Sequence, residues 1–183
     1  GAHWQPFQQN LPMVPITDLT IKDNNLVAAT QGRGLWIIDD LSPLHQLEVA
    51  ADTSAVHLFQ PLPSYRMDGR QAKPSKTAGT NHPNGVMTYF YLPASLGDSA
   101  EVSIAYLEAD GDLIRQFSTQ AEEKADKLEM EPGSNRFVWD MQYPKAKDFE
   151  GMIMWWAGLQ GPKAVPGKYR VQLETPMDTL EQS

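Results

Sequence analysis

The chain has 183 residues, 41% of them hydrophobic, which is enough to bury the core of one large domain or two small ones. It carries 15 Lys and Arg against 23 Asp and Glu, and this net charge of -8 argues against binding to nucleic acid or to an anionic membrane surface. It contains no cysteine, which excludes disulfides, thiolate metal sites and a cysteine nucleophile but leaves the cellular compartment open.

No apolar run reaches the length of a membrane span, so we expect no membrane insertion. Gly1 is not an initiator methionine, and we expect the chain to be a piece of a longer protein. The lack of a signal peptide therefore carries no information about export.

The first segment, residues 1–45, contains three short apolar stretches separated by turn residues. The stretches cover residues 15–21, 26–29 and 35–38. Short strands joined by tight turns are typical of one blade of a β-propeller. Because one blade cannot bury both of its faces alone, we interpret residues 1–45 as a partial β-propeller blade that depends on neighbours.

The middle segment, residues 46–83, is interpreted as a connector and loop. Its first part shows neither a helical nor a strand period. Residues 67–81 are rich in Pro, Gly, Ser and Lys, a composition that predicts an exposed loop.

The last segment, residues 84–183, is organised around a predicted hairpin over residues 100–118. The alternating apolar residues of its first strand are Val102, Ile104 and Tyr106. Asp110-Gly111 suits a tight turn, and a return strand over residues 113–117 follows it. An isolated hairpin is marginal in water, so the pair needs a facing sheet.

Three other stretches have the length and pattern to pack around this hairpin, namely residues 86–92, 136–141 and 168–173. Strands separated by turns, with little helical periodicity, predict an all-β fold of the immunoglobulin-like antiparallel β-sandwich type. A sandwich of this type has one more strand after Leu173, and we expect the chain to end within that strand.

One helix is predicted between the strands, over residues 120–130. Ala121, Ala125 and Leu128 share a helical face. Glu123 and Lys127 have the i,i+4 spacing of an ion pair. We expect a short helix on the surface.

No residue pattern predicts a catalytic site, a metal site or a cofactor. A glycosidase needs two carboxylates roughly 5 to 10 Å apart. Asp39 and Asp40 diverge on a strand and more simply form a turn or a cap, and Asp140 is expected to make a strand-end hydrogen bond. Asp110-Gly111-Asp112 lacks the further ligands of a calcium loop. The histidines, which lack the spacing of a zinc site, are His3, His45, His57 and His82.

Exposed aromatic side chains are the best candidates for ligand binding. Residues 149–158 are apolar and contain the adjacent residues Trp155 and Trp156. Because neighbours on a strand point to opposite faces, at most one of the two is expected in the core. We therefore name Trp155 and Trp156 as candidate ligand-binding residues, whereas Trp36 and Trp139 are expected in the core.

Residues 28–44, with the sequence AATQGRGLWIIDDLSPL, resemble the closing blade of large bacterial sortilin-like, BNR-repeat β-propeller proteins. Those proteins are often labelled glycosyl hydrolases because of their repeats. Later segments resemble the carboxy-terminal region of the same proteins: VHLF at 56–59, NHPNG at 81–85, NRFVWD at 135–140, GMIMW at 151–155, GP at 161–162 and VPGKY at 165–169. The second half is also similar to the immunoglobulin-like domain of the flagellar hook-capping type.

The resemblance implies an exported protein, extracellular or periplasmic, in which the rest of the propeller chain is the main partner. It implies a non-catalytic accessory or structural role for this chain, because the Asp-box pattern Ser-x-Asp-x-Gly-x-Thr-Trp is absent and other blades would build the propeller axis. The alternatives are a glycoside hydrolase fragment and a carbohydrate- or peptide-binding module. Residues 3–40 would leave strand edges open, and are expected to fold onto the sandwich or to pair with a second copy in a homodimer.

Overall fold

A computed structural model describes most of the chain in two compact units, Gly1–His45 and Gln46–Ser183. The described residues are 4, 6–46, 53–67, 79, 81–97, 99–147, 149, 151–153, 155–156 and 158–183. They contain ten β-strands, one α-helix of four residues and two short 3-10 turns. The predicted all-β class is therefore confirmed.

The smaller unit is a three-stranded antiparallel sheet with the strands in chain order. Its strands are β1 (Ile16–Lys22), β2 (Asn25–Thr30) and β3 (Leu35–Ile38), followed by helix α1 (Ser42–His45). Asp23 and Asn24 adopt positive φ between β1 and β2, which these residue types tolerate in a tight turn. The three strands predicted for this segment are confirmed.

Apolar side chains lie on both faces of this small sheet. Residues paired directly across strands share a face, so the register places Leu19, Ala28 and Trp36 on one face. Thr20, Val27 and Ile37 lie on the other. Of the large apolar residues, Ile21 on the first face is 63% exposed and Leu35 on the second is 70% exposed.

The larger unit consists of two antiparallel sheets that share one core. The first contains β4 (His57–Leu58), β5 (Val86–Leu92) and β8 (Gly133–Trp139), in that order across the sheet. The second contains β6 (Ser103–Glu108), β7 (Leu113–Ser118), β9 (Tyr169–Glu174) and β10 (Thr179–Gln182), in the order β10-β9-β6-β7. This arrangement is sandwich-like, as the alternating patterns predicted.

The core of the larger unit is centred on aromatic side chains from both sheets. Trp139 of β8 stacks on Tyr106 of β6 with a ring separation of 4.4 Å. The Tyr106 hydroxyl shares a 2.7 Å hydrogen bond with the Thr88 hydroxyl of β5. Both hydroxyls are buried, and burial raises the pKa of Tyr106, so the phenol stays neutral. Trp139 is thus a core residue, as expected.

The predicted Asp-Gly hairpin turn joins β6 to β7. Gly111 adopts a φ of 103°, a conformation that favours glycine. The backbone N–H of Glu108 donates to the Asp112 carbonyl at 2.8 Å, and the N–H of Asp112 donates to Asp110 Oδ1 at 3.3 Å. These bonds give the Asp110 carboxylate and the Asp112 backbone a structural role in the turn.

The predicted helix over residues 120–130 is wrong. A single 3-10 turn, Lys124–Asp126, is found in this stretch, and Leu128 is a core residue. The Leu128 N–H donates to the Ser118 carbonyl at 2.9 Å, so the stretch returns alongside β7 instead of coiling on the surface. Glu123 forms an ion pair with Lys145 at 3.7 Å, and not with Lys127.

Part of the predicted connector also belongs to the larger unit. Strand β4 lies within residues 46–83 and pairs with β5, and Val56 and Leu58 enter the core. Residues 68–78 of the predicted loop lie outside the described residues. At the other end, β10 follows Leu173, where one more strand was expected, and it pairs with β9.

Candidate functional site

Two chain segments leave the core side by side between β8 and β9, and we call them the paired arms (residues 142–147 and 158–163). The Tyr143 N–H donates to the Pro162 carbonyl at 2.9 Å, and the Ala146 N–H donates to the Leu159 carbonyl at 2.8 Å. A Cβ atom at Gly161 would lie 2.1 Å from the Tyr143 carbonyl oxygen, so this close approach requires glycine.

The paired arms lead to the tip, residues 149–156, of which the structure describes 149, 151–153, 155 and 156. Trp155 is 86% exposed and Trp156 is 99% exposed, and Phe149 and Ile153 are exposed as well. The Met152 N–H donates to the Phe149 carbonyl at 3.1 Å, which forms a turn. Neither tryptophan lies in a strand or in the core, so the strand geometry assumed for them does not apply. Their role as ligand-binding residues stays a prediction.

A polar groove with a volume of about 470 Å³ lies between the paired arms and the end of the two sheets. Arg115 of β7 lines the groove and contacts residues of three different segments. Its Nε donates to Asp126 Oδ1 at 2.9 Å, and its Nη2 donates to the Ala125 carbonyl at 3.1 Å. Its Nη1 lies 3.9 Å from Asp140 Oδ1 at the end of β8, and its guanidinium carbon lies 4.8 Å from the Phe117 ring centre.

The Arg115 contacts define what the groove can do chemically. Asp126 and Asp140 could be mistaken for the carboxylate pair of a glycosidase, but both form ion pairs with the same guanidinium. Asp140 also accepts a hydrogen bond from the Gln142 N–H at 3.1 Å. A cation that lies between two carboxylates fixes chain segments in place, and Arg115 thereby ties the 3-10 turn and the start of the arms to β7.

A second polar contact holds the arms from the other side. The Tyr143 hydroxyl donates a hydrogen bond to Glu108 Oε1 at the end of β6. This bond, together with burial and the nearby negative charge of Glu108, raises the pKa of Tyr143 to about 12. The phenol is therefore a neutral donor at physiological pH and is unsuited to act as a base.

Other residues singled out in the sequence have structural contacts. Asp40 is buried and accepts hydrogen bonds from Asn24 Nδ2 at 3.0 Å and from the Ser42 N–H at 2.8 Å, so it has the predicted capping role. His57 is half-buried, with its ring edge-on to Phe59 at 4.8 Å. His3 lies outside the described residues. Within the described part of the chain, no three His, Cys, Asp or Glu side chains cluster in a way that could hold a metal ion.

One feature of the larger unit was not predicted. The Tyr169 hydroxyl at the start of β9 donates to the backbone carbonyl of Val165, four residues earlier. Gly167 lies between them, where a Cβ atom would touch the Tyr169 ring at 3.7 Å. The sequence Val165-Pro166-Gly167-Lys168-Tyr169 contains both residues, but the strand predicted over residues 168–173 gave no sign of a hydrogen bond back to Val165.

Arg115 and Tyr143 were also missed by the sequence analysis. Arg115 pairs with Tyr106 across the strands and so occupies an inward position of β7, two residues before the buried Phe117. A charged side chain at an inward-facing strand position needs a partner of opposite charge, and this position was the one sign of the Arg115 contacts in the local sequence. For Tyr143 the sequence holds no such sign, because Glu108 is 35 residues away.

Comparison with known proteins gives no assignment: no family model matches the chain, and neither the curated proteins nor the solved structures include a match. None of the helices in the described residues has the length and apolar character to cross a membrane.

Proposed function

We propose that this chain is a non-catalytic accessory part of an exported β-propeller protein of the glycosyl-hydrolase-like family. In this proposal the unit Gly1–His45 contributes one propeller blade, and the unit Gln46–Ser183 is an immunoglobulin-like module. The observation that carries the proposal is the small sheet with apolar side chains on both faces.

A sheet with two apolar faces requires a covering layer on each side. The antiparallel sheets of sandwiches bury one face and expose the other, whereas a propeller blade is packed between the blade before it and the blade after it. Ile21 is exposed on one face and Leu35 and Ile37 on the other, and all three would be buried by such neighbours. The resemblance of residues 28–44 to a closing blade agrees with this reasoning.

The strand neighbours of the larger unit support the immunoglobulin-like assignment. If β4 to β10 are labelled A, B, C, C′, E, F and G, the two sheets have the neighbours A-B-E and G-F-C-C′. These are the neighbours of immunoglobulin sandwiches. The Tyr169 hydrogen bond to Val165 has the form of a tyrosine corner, which lies near the start of strand F and two residues before a buried position, here Val171.

The contacts of Arg115 favour an accessory role over hydrolysis. Of the described residues, three carboxylates line the groove: Asp126 and Asp140 are paired with Arg115, and Glu123 is paired with Lys145. A glycosidase instead presents one carboxyl group as an acid and the other as a nucleophile or base on either side of a sugar. We therefore expect no turnover of glycosides by this chain.

The association state of the protein tests the blade proposal. Without covering layers the two faces should drive concentration-dependent association, measured by light scattering. The Leu35→Lys/Ile37→Lys double variant should associate much less than the wild type, because two charges would then lie on one of the two faces. Gln120→Lys/Thr179→Lys is the matched control, because it adds the same two charges at exposed polar positions of the larger unit, and it should associate like the wild type. A wild type that is monomeric at every concentration would contradict the proposal.

Activity measurements test the alternative of a glycoside hydrolase fragment. Turnover of aryl glycosides or polysaccharides that is abolished by Asp140→Asn would establish hydrolysis and overturn the accessory role. No turnover by the wild type, with Asp126→Asn and Asp140→Asn changing only the unfolding free energy, is the expected result.

A binding module is the second candidate function, and the exposure of Trp155 and Trp156 favours it. Exposed aromatic rings are common in the recognition of carbohydrates and peptides, because they supply a large apolar area with few rotatable bonds. Retention on an insoluble polysaccharide that is lost in the Trp155→Ser/Trp156→Ser double variant would support this candidate. Equal retention of both proteins would exclude these tryptophans as its binding residues.

A further inference from the structure

We propose that the tip, residues 149–156, inserts into the interfacial layer of a phospholipid bilayer. The inference does not depend on the propeller proposal, because it rests on the paired arms and on the chemistry of the tip alone. It names a lipid surface as the partner of the tip.

The chemistry of the tip favours a lipid over a sugar. The tip, residues 149–156, has the sequence FEGMIMWW, in which Glu150 is the one charged residue and the two indole N–H groups are the only side-chain hydrogen-bond donors. A sugar site combines aromatic rings with several polar groups that fix the hydroxyls. A run of Met, Ile and Trp without such groups suits the bilayer interface, where tryptophan is enriched because its ring is apolar and its N–H reaches the headgroups.

The distribution of exposure favours a fluid partner over a protein groove. A groove covers one face of a segment and leaves the opposite face to solvent or to the protein's own core. Trp155 and Trp156 are neighbours that are 86% and 99% exposed, and Phe149 and Ile153 are 70% and 80% exposed. A surrounding medium of lipid chains buries such side chains whichever way they point, which a rigid groove does not.

The local charge also suits a phosphate-bearing surface. The paired arms and the tip, residues 142–163, contain three lysines, one aspartate and one glutamate, a net charge of +1. Since the whole chain has a net charge of -8, the remaining residues carry -9. The whole-chain charge predicted no membrane binding, but it averages over this positively charged segment. Lys147 precedes the tip in the first arm, where it can reach headgroup phosphates while the tip is inserted, whereas Lys145 is paired with Glu123.

Vesicle binding tests the inference directly. The wild-type chain is mixed with phosphatidylcholine–phosphatidylglycerol vesicles and followed by co-sedimentation and by quenching of tryptophan fluorescence with brominated lipid. We expect binding with quenching, and a partition coefficient lower by about tenfold or more in the Trp155→Ser/Trp156→Ser double variant. Trp4→Ser is the matched control, because Trp4 is 89% exposed but lies in the other unit, and its binding should equal the wild type.

A charge variant separates the two parts of the interaction. Lys147→Gln should weaken binding to the anionic vesicles several-fold and leave binding to pure phosphatidylcholine unchanged, because only the headgroup charge differs. All variants lie at exposed positions, so their thermal unfolding should match the wild type. The inference is overturned if the wild type binds neither vesicle. It is also overturned if the double variant binds as well as the wild type, or if the tip tryptophans retain the chain on a polysaccharide but not on vesicles.

Discussion

The pair of buried hydroxyls between the two sheets gives the sharpest test of the larger unit. Thr88 is 0% exposed on β5 and Tyr106 is 1% exposed on β6, and their 2.7 Å hydrogen bond joins the sheets at the centre of the core. Thr88→Val and Tyr106→Phe each remove one hydroxyl with almost no change in shape. Each single variant leaves the other hydroxyl buried without this partner.

The expected energies follow from the asymmetry between losing one partner and losing both. An unsatisfied buried polar group costs about 1–3 kcal/mol, whereas replacing both partners by apolar groups of the same shape is nearly neutral. Each single variant should therefore lower the free energy of unfolding by about 1–3 kcal/mol. The double variant should lower it by less than the sum of the two, with a coupling energy of about 1 kcal/mol or more.

Urea unfolding of the four proteins, followed by near-ultraviolet circular dichroism, provides the measurement. The dependence of the unfolding free energy on urea should be the same in all four, because the exposed surface on unfolding does not change. Additivity of the two single variants within about 0.5 kcal/mol would mean that the hydroxyls do not interact, and would refute the packing of β5 against β6 described above.

Three further predictions concern single residues. Gly85→Ala should lower the free energy of unfolding by roughly 1–3 kcal/mol, because the new Cβ would lie 2.2 Å from the Trp139 carbonyl oxygen of β8. Gly79→Ala is the control: its Cβ would have no atom within 4 Å, so its free energy of unfolding in the same urea titration should equal that of the wild type. Tyr169→Phe should lower the free energy of unfolding by about 1 kcal/mol, because one hydrogen bond is lost. An unchanged free energy of unfolding would contradict the assignment of a tyrosine corner. The pKa of Tyr143 is raised from 10.0 to about 12, so its bond to Glu108 stabilises the fold fully below pH 10, and this stabilisation is lost as the pH rises through 12. In an absorbance titration, the wild type should show one more tyrosine that ionises near pH 12 than the Tyr143→Phe variant.

Local patterns predicted the strands that have a clear period of two, and they failed where distant contacts decide the structure. The alternation of Val102, Ile104 and Tyr106 identified β6, and its turn at Asp110-Gly111 followed from the same stretch. The helical pattern of residues 120–130 was overridden because Leu128 is buried in the core and Asp126 is held by Arg115. Strand β4 has two residues, too few to form any pattern, and exists through its pairing with β5.

The candidate site was predictable only in part. Trp155 and Trp156 were identified from their residue type and position, but the assumption of strand geometry could not anticipate that both are exposed. The paired arms depend on backbone contacts between residues up to 21 positions apart, such as the bridge of Gln142 with Lys163. A single sequence does not encode such a contact in any local period.

Amide hydrogen exchange of the small sheet tests the central proposal most directly, because it reports whether β1, β2 and β3 need covering layers. At low concentration, backbone amides of Val27 and Ala29 should exchange much faster than those of Ile104 and Val171 in the larger unit. Raising the protein concentration should protect the small sheet alone, because association covers its apolar faces. Equal and concentration-independent protection of both units would show that the small sheet is stable by itself, and would contradict the proposal that it is one blade of a propeller.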